Sequence, residues 1–209
     1  MSTGIYILGV GHNTLLMIDM LEACGKKIRG LYHYEEGKTG SSIYGYPVLG
    51  TFDDLFSSDI TNQQFALSMG DNKIRARLFD KITALDGIPV NIIHPSASVS
   101  SRAKLGQGVI IGANSTIHPD VCVGNNTMIG ENVVITHSTK IGASCLIASG
   151  NIIGSYIEFG DFIFSGLGAI YISDKVPQVG SEAVIGAGSV ITKAVQPGQT
   201  IAGNPGRKL

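Results

Sequence analysis

From Ile93 onward the large apolar residues return every six positions. They are Ile93, Val99, Leu105, Ile111, Ile117, Val123, Ile129, Ile135, Ile141, Ile147, Ile153 and Phe159. Glycine follows several of them, as at Gly106, Gly112, Gly124, Gly130, Gly142 and Gly154. After Ser165 the phase slips by two, and it resumes at Val179, Ile185 and Ile191. The slip predicts two extra residues around Tyr171–Gln178. Period six fits neither a helix nor a simple alternating strand. It predicts short strands joined by tight corners and stacked as a parallel β-helix. Three hexads make one triangular coil of about 18 residues, with coils about 4.8 Å apart. The aliphatic positions point inward, and small residues after them allow the corner backbone.

The first ninety residues read differently. Gly4–Gly9 predicts a buried strand, Gly9-Val10-Gly11 a tight turn, and Leu15–Cys24 a helix. Lys27–Tyr34 predicts a second strand and Tyr46–Gly50 an extended turn. Thr51-Phe52-Asp53-Asp54 predicts a capping box. Gln64–Met69 predicts a third strand. Asp71 caps a helix that runs through Asp86, with Ile74, Leu78, Ile82 and Leu85 on one face. Val90–Ile93 predicts a fourth strand. Strands alternating with helices imply a small parallel sheet, with ligands beyond the carboxyl ends of its strands. The expected organisation is an α/β, Rossmann-like subdomain over residues 1–90 and a β-helix with a C-terminal tail over residues 91–209.

Charge narrows the function. The chain has 209 residues, with 15 Lys+Arg against 16 Asp+Glu, which argues against a nucleic-acid or anionic-membrane surface. No stretch reaches the roughly 20 apolar residues of a membrane span. Met1–Leu8 lacks a basic region before its apolar run, so it does not read as a leader. Cys24, Cys122 and Cys145 form no CxxC motif, and free thiols in a cytoplasmic protein are expected.

The G-x-G of Gly9 and Gly11 is a weak phosphate signal, because Thr14 stands where a third glycine would be. His12 and Asn13 follow at a helix N-terminus, where they face a ligand. Five histidines are candidates for proton transfer. His137 lies two residues past Ile135, off the inward ladder, so it points out of its coil. His118 stands at a corner and is a candidate substrate contact. His94 belongs to the entry of the β-helix, and His33 follows the second strand. A zinc site needs convergent histidines, and the spacing of His94, His118 and His137 does not supply them. No metal is expected.

Several phrases recur in one order: I-L-G-V-G at Ile7–Gly11, G-Y-P-V-L-G at Gly45–Gly50, G-D-N-x-x-R at Gly70–Arg75, and I-H-P-S-A at Ile93–Ala97. They continue with I-T-H-S-T-K-I-G at Ile135–Gly142, V-I-G-A-G-S-V at Val184–Val190, and A-G-N-P-G-R-K-L at Ala202–Leu209. This arrangement resembles the sugar acyltransferase family that includes sialic acid O-acetyltransferases and bacillosamine- and perosamine-type N-acetyltransferases. The resemblance implies that the β-helix is left-handed and that the protein is a homotrimer. Acyl-CoA, with acetyl-CoA as the expected co-substrate, would lie along the β-helix between two subunits. The N-terminal module would grip a nucleotide-linked amino sugar.

The resemblance also implies residue roles. His137 takes the place of the general base, but the acid that follows it in the family is Ser138 here. Glu131 or Asp120 could stand in for that acid. Leu146, the Ser155-Tyr156 pair, Gly186-Ala187-Gly188, Pro205 and Arg207 fall on acyl-CoA-binding positions. Backbone near Ser155 and Ala187 would steady the thioester carbonyl. Gly9, Gly11, His12, Asn13, His33, Tyr34 and His118 fall on the substrate side. The paired acids after the second strand are replaced by His33-Tyr34. A sugar O-acetyltransferase and a non-catalytic nucleotide-sugar scaffold remain alternatives at this stage.

Overall fold

The computed structural model describes residues 4–209. The reading of the leader at Met1–Leu8 falls in part outside the described residues. The chain divides into two compact units, which meet in sequence between Ile92 and Ile93.

The first unit is an α/β sandwich. Strands β1 (Ile5–Leu8), β2 (Ile28–His33), β3 (Ser42–Ile43), β4 (Tyr46–Thr51), β5 (Gln64–Leu67) and β6 (Ile88–Pro89) form one sheet in the order β3-β4-β2-β1-β5-β6. All neighbours are parallel except β3 and β4. Helices α1 (His12–Ala23), α2 (Phe52–Phe56) and α3 (Asn72–Ala84) connect them. Thr51 and Asp54 close the expected capping box: the Asp54 N–H donates to Thr51 Oγ1 at 3.1 Å, and the Thr51 N–H to Asp54 Oδ2 at 2.7 Å.

Three expectations for this unit are corrected. The segment expected to be a turn at Tyr46–Gly50 is strand β4, because Val48 is buried against β2. The fourth strand lies at Ile88–Pro89, with Ile92–Ile93 belonging to the sheets of the β-helix. Proline is tolerated there because β6 is an edge strand. Helix α3 buries Arg75, Ala76, Leu78, Phe79 and Ile82, while Ile74 and Leu85 stay exposed. The buried stripe is rotated toward Phe79, whose ring joins Phe65, Leu55 and Ile60 in the core.

The second unit is a parallel β-helix built from two-residue strands on three faces. Ile111 through Phe159 at the six-residue step are all buried inside, while Ile93, Val99 and Leu105 in the first coil are partly covered. Register confirms the slip. Ile153 pairs with Tyr171, 18 residues on, but Ser165 pairs with Ile185 and Glu158 with Gln178, each 20 on. Ser165 still occupies a ladder position. The space it leaves is taken by Tyr171, whose hydroxyl meets Ser165 Oγ at 2.5 Å. Burial holds that phenol protonated, well above its usual range.

A second inward column binds the coils together. Ser115, Thr127 and Thr139 each donate a side-chain hydroxyl to the carbonyl 15 residues on, at 2.7–2.8 Å. Each accepts the N–H 18 residues on, from Val133, Cys145 and Ile157. Corner donors and acceptors that water cannot reach are thus satisfied from within.

The three outer faces differ. One presents Met128, Leu146, Phe164 and Val184, with Ile110 at its start buried, and the next Ser98, Thr116, Val134, Ile152, Ile170 and Val190. The third presents Lys104, Cys122, Lys140, Glu158 and Gln178, with Lys140 Nζ 2.7 Å from Glu158 Oε1. Two faces are largely apolar and one is charged.

Candidate active site

In the α/β unit the carboxyl ends of β1, β2 and β5 open into a cleft of about 460 Å³. Gly9, Gly11, His12, Asn13, His33 and Tyr34 all line it. Phe52, Ser68, Met69 and Ile74, none of which was a sequence candidate for the site, line it too. Asp71, read only as a helix cap, also stands on the wall, and its carboxylate accepts the Ile74 N–H at 2.8 Å. The Gly70–Arg75 phrase was the available signal. Arg75, fully buried, donates to the Met69 carbonyl and to Asn72 Oδ1, both at 2.9 Å, and so fixes this wall. The N-termini of α1 and α3 both meet the cleft, which suits an anion.

His33 and Tyr34 play unequal parts. The His33 ring is 2 % exposed, and its Nδ1 accepts the Glu35 N–H at 2.9 Å. Its other polar contact is with the Val10 backbone. Burial, then Lys38, lowers its pKa, so the ring is held neutral. With both polar edges engaged, His33 meets a ligand by its surface alone. Tyr34 stacks on it at 4.2 Å and is 70 % exposed, so it offers an open ring to the cleft.

On the β-helix, His118, His137, Ser155 and Tyr156 share the corner between the second and third faces, on successive coils. The His118 N–H donates to the Ile135 carbonyl at 3.0 Å and the Tyr156 N–H to the His137 carbonyl at 3.4 Å. The His137 imidazole is exposed, with Nδ1 3.4 Å from Ser138 Oγ and the Tyr156 ring edge-on at 5.1 Å. Glu131 cannot take the place of the missing acid, because its carboxylate is bonded to Ser149 Oγ at the corner between the first and second faces. Asp120 stands on the same corner as His137, one coil earlier. His94 caps its own turn through Ser96.

The Ser155 N–H, expected to face the thioester, instead donates to Ser173 Oγ at 2.9 Å. That corrects its role as an oxyanion donor, since the amide is already spent on the next coil. Other residues expected at one acyl-CoA site are spread over the unit. Leu146 is on the first face, and Gly186-Ala187-Gly188 on the corner between the first and second faces. Arg207 lines a small cleft of about 240 Å³ with Thr192, Lys193 and Lys208. Pro205 is exposed in the tail just before it. Lys193 was missed because it lies in no recurring phrase. Among the described residues, no three His, Cys, Asp or Glu side chains are grouped to hold a metal ion.

A nucleotide-sized cleft at the head of a parallel sheet, followed by a hexapeptide β-helix carrying an exposed histidine, defines a class of acyltransferases. The comparisons specify it. Residues 4–82 match the PglD N-terminal domain, and residues 120–155 and 178–193 match the hexapeptide repeat of succinyl-transferase. The chain is 29 % identical over 215 residues to GDP-perosamine N-acetyltransferase of Escherichia coli O157:H7, covering 99 % of this chain and 95 % of that protein. PerB from Caulobacter crescentus, solved in complex with CoA and GDP-perosamine, superposes with a TM-score of 0.91 at 27 % identity. That match covers 99 % of this chain and 97 % of the other. The acetyltransferase domain of PglB from Neisseria gonorrhoeae gives 0.90 at 25 % identity, covering 99 % and 100 %. The chain resembles the sugar acyltransferases that join a PglD-type N-terminal domain to a left-handed, hexapeptide-repeat β-helix.

Proposed function

We propose that this protein is a cytoplasmic, homotrimeric, acetyl-CoA-dependent N-acetyltransferase acting on a nucleotide-linked amino sugar in glycan precursor synthesis. Residues 1–90 hold the nucleotide, and residues 91–209 carry acetyl transfer. The observation that carries this reading is one chain bearing both parts: a cleft at two helix N-termini and an exposed histidine on a β-helix corner. The likeness to PerB, solved with CoA and GDP-perosamine, extends over both.

In this reading the diphosphate sits against the heads of α1 and α3, near His12 and Asn13. Tyr34 faces the rest of the nucleotide. The sugar amine attacks the thioester carbonyl, and His137 takes the proton it loses. The C–N bond forms, the C–S bond breaks, and the CoA thiolate leaves and takes up a proton. With the Ser155 amide engaged, and the Gly186 and Gly188 amides bonded to the Ile201 and Leu167 carbonyls, the Ala187 amide is the donor left at that corner for the oxyanion. Lys193, Arg207 and Lys208 suit CoA phosphates.

The outer faces support the trimer. Triangular prisms grouped about a threefold axis each turn two adjacent faces toward neighbours. Here the two apolar faces are adjacent, and the Lys140–Glu158 face is left to water. The scatter of Leu146, Gly186–Gly188 and His137 over one chain is then expected, because the site is completed by a second copy. Cys24, Cys122 and Cys145 form no disulfide, as suits a reducing compartment.

The test is release of CoA thiol from acetyl-CoA against nucleotide-linked amino sugars, with sugar hydroxyl acceptors alongside. Turnover with an amino sugar that vanishes in His137→Ala is the expected result. Turnover on hydroxyl acceptors alone makes the enzyme an O-acetyltransferase, and no CoA binding at all removes the acyltransfer reading.

A further inference from the structure

The dinucleotide-type turn of this chain is degenerate, with Thr14 in place of a third glycine. That threonine is 1 % exposed, and Ser68 beside it is 4 % exposed. The Gly11 N–H donates to Thr14 Oγ1 at 2.8 Å, and Thr14 Oγ1 donates to the Gly9 carbonyl at 3.1 Å. Ser68 Oγ lies 3.2 Å from Thr14 Oγ1 and donates to the Leu8 carbonyl at 3.0 Å. Two buried hydroxyls thus join the end of β1, the head of α1 and the end of β5. Their placement also explains Gly9. It has a positive φ of 113°, and a Cβ there would stand 2.6 Å from Ser68 Oγ. Gly11 is unlike it: a Cβ there would meet nothing within 4 Å.

The same bonds decide which amides face the cleft. The first N–H groups of a helix lack intrahelical acceptors. Here the Gly11 amide is taken by Thr14 Oγ1, and the Thr14 amide donates to the Gly11 carbonyl at 3.1 Å. His12 and Asn13, both lining the cleft, are left at the head of α1.

We propose that Thr14 is a positioning residue for substrate binding: its hydroxyl, backed by Ser68, withdraws the Gly11 amide from the cleft and presents those of His12 and Asn13 to a nucleoside diphosphate. This rests on the proposed nucleotide-sugar reading. The hydroxyl does what close glycine packing does in the full fingerprint, and adds a choice of donors. Glycine at position 14 would release the Gly11 amide, and valine would keep the shape and strand it.

The experiment is calorimetric titration of the full-length protein with GDP and UDP, with CoA as a separate ligand. The variants are Thr14→Val, Thr14→Ser and Ser68→Ala. Removing the acceptor of this part-buried amide bond corresponds to about a 5-fold loss. Thr14→Val is expected to weaken nucleotide binding about that much, with Thr14→Ser restored to within about 2-fold and CoA affinity unchanged throughout. Ser68→Ala, which leaves Thr14 intact, is expected to weaken binding less than Thr14→Val. It also supplies the reading if the valine variant does not fold. Amide exchange gives a direct view: Gly11 protected in wild type and Thr14→Ser, and His12 and Asn13 newly protected when nucleotide is added. Wild-type nucleotide affinity in Thr14→Val, or protection of Gly11 only on adding nucleotide, overturns the proposal. A serine variant as weak as valine makes the role one of methyl packing and also overturns it. A wild type that binds CoA and neither nucleotide overturns the nucleotide reading itself, and the positioning role with it.

Discussion

The two units solve opposite problems with the same glycines and hydroxyls. In the β-helix, the glycines that follow ladder residues, such as Gly112, Gly124 and Gly142, stand where the next coil's backbone comes close. At Gly142 an added Cβ would stand 2.3 Å from the Gly160 carbonyl oxygen. In the α/β unit a glycine such as Gly11 borders the open space of the cleft. The β-helix column of Ser115, Thr127 and Thr139 serves stacking alone, whereas Thr14 and Ser68 shape a cleft. Repetition leaves the β-helix nearly featureless, and its exposed candidate side chains, such as His137, stand on corners. The α/β unit is irregular and carries a formed cavity of its own.

The largest effect that breaks this contrast is at the glycines. Gly142→Ala forces backbone against backbone and is expected to cost about 3 kcal/mol or more, read as a lowered denaturant midpoint or loss of soluble protein. Gly11→Ala is expected to stay within about 0.5 kcal/mol in the same measurement. Equal costs at both positions would erase the distinction between stacking and ligand-facing glycines.

Next in size is the assembly. Ile152 and Phe164 are half-exposed on the two apolar faces. In the proposed trimer, Ile152→Glu or Phe164→Glu is expected to leave a species of one chain mass, 21.9 kDa, by light scattering. Thiol release should fall with it. Glu158→Ala on the charged face, whose ion pair is solvent-exposed, should leave the trimer intact. Wild-type protein that is already monomeric and fully active would remove the shared site.

A smaller effect concerns His137. Ser138 has a φ of 61°, a conformation that aspartate tolerates better than most residues. A carboxylate there stabilises the imidazolium. Ser138→Asp is expected to move the acid limb of the pH–rate profile to higher pH and to change kcat about 3- to 10-fold. An unmoved limb would show that the proton goes elsewhere, with His118 on the same corner the next histidine to replace.

The sequence was most legible where it repeated. The hexad ladder gave the coil, its inward residues and the two-residue insertion, because a six-residue step leaves few alternative packings. Strand β4 was misread as a turn because Tyr46-Pro47 and Gly50 signal punctuation locally, and only pairing with β2 overrides them. At the site, the turn after β1 and the end of β2 were legible because the sheet places ligands there by topology. The Ser155 amide was not, because its partner Ser173 lies 18 residues on and is set by coil stacking. Nor was the buried state of His33, which depends on Glu35 and Val10 closing around its ring.

His33 yields the smallest and most specific effect. Its pKa is lowered from the ordinary 6.5, chiefly by burial. In the unfolded chain the ring takes up a proton as pH falls through that ordinary value, while the folded form resists it. The unfolded state therefore binds more protons in this window, and stability rises with pH across it. The contribution is present above pH 6.5 and is lost progressively as pH falls toward the lowered value. A proton on Nδ1 would also meet the Glu35 N–H that now donates to it, loosening the base beneath Tyr34. Melting temperature and nucleotide affinity are both expected to decline as pH falls below about 6.5. In His33→Gln, lower in overall stability, that slope should flatten. A wild-type slope that survives the substitution unchanged would assign it to other groups and leave His33 as packing for Tyr34 alone.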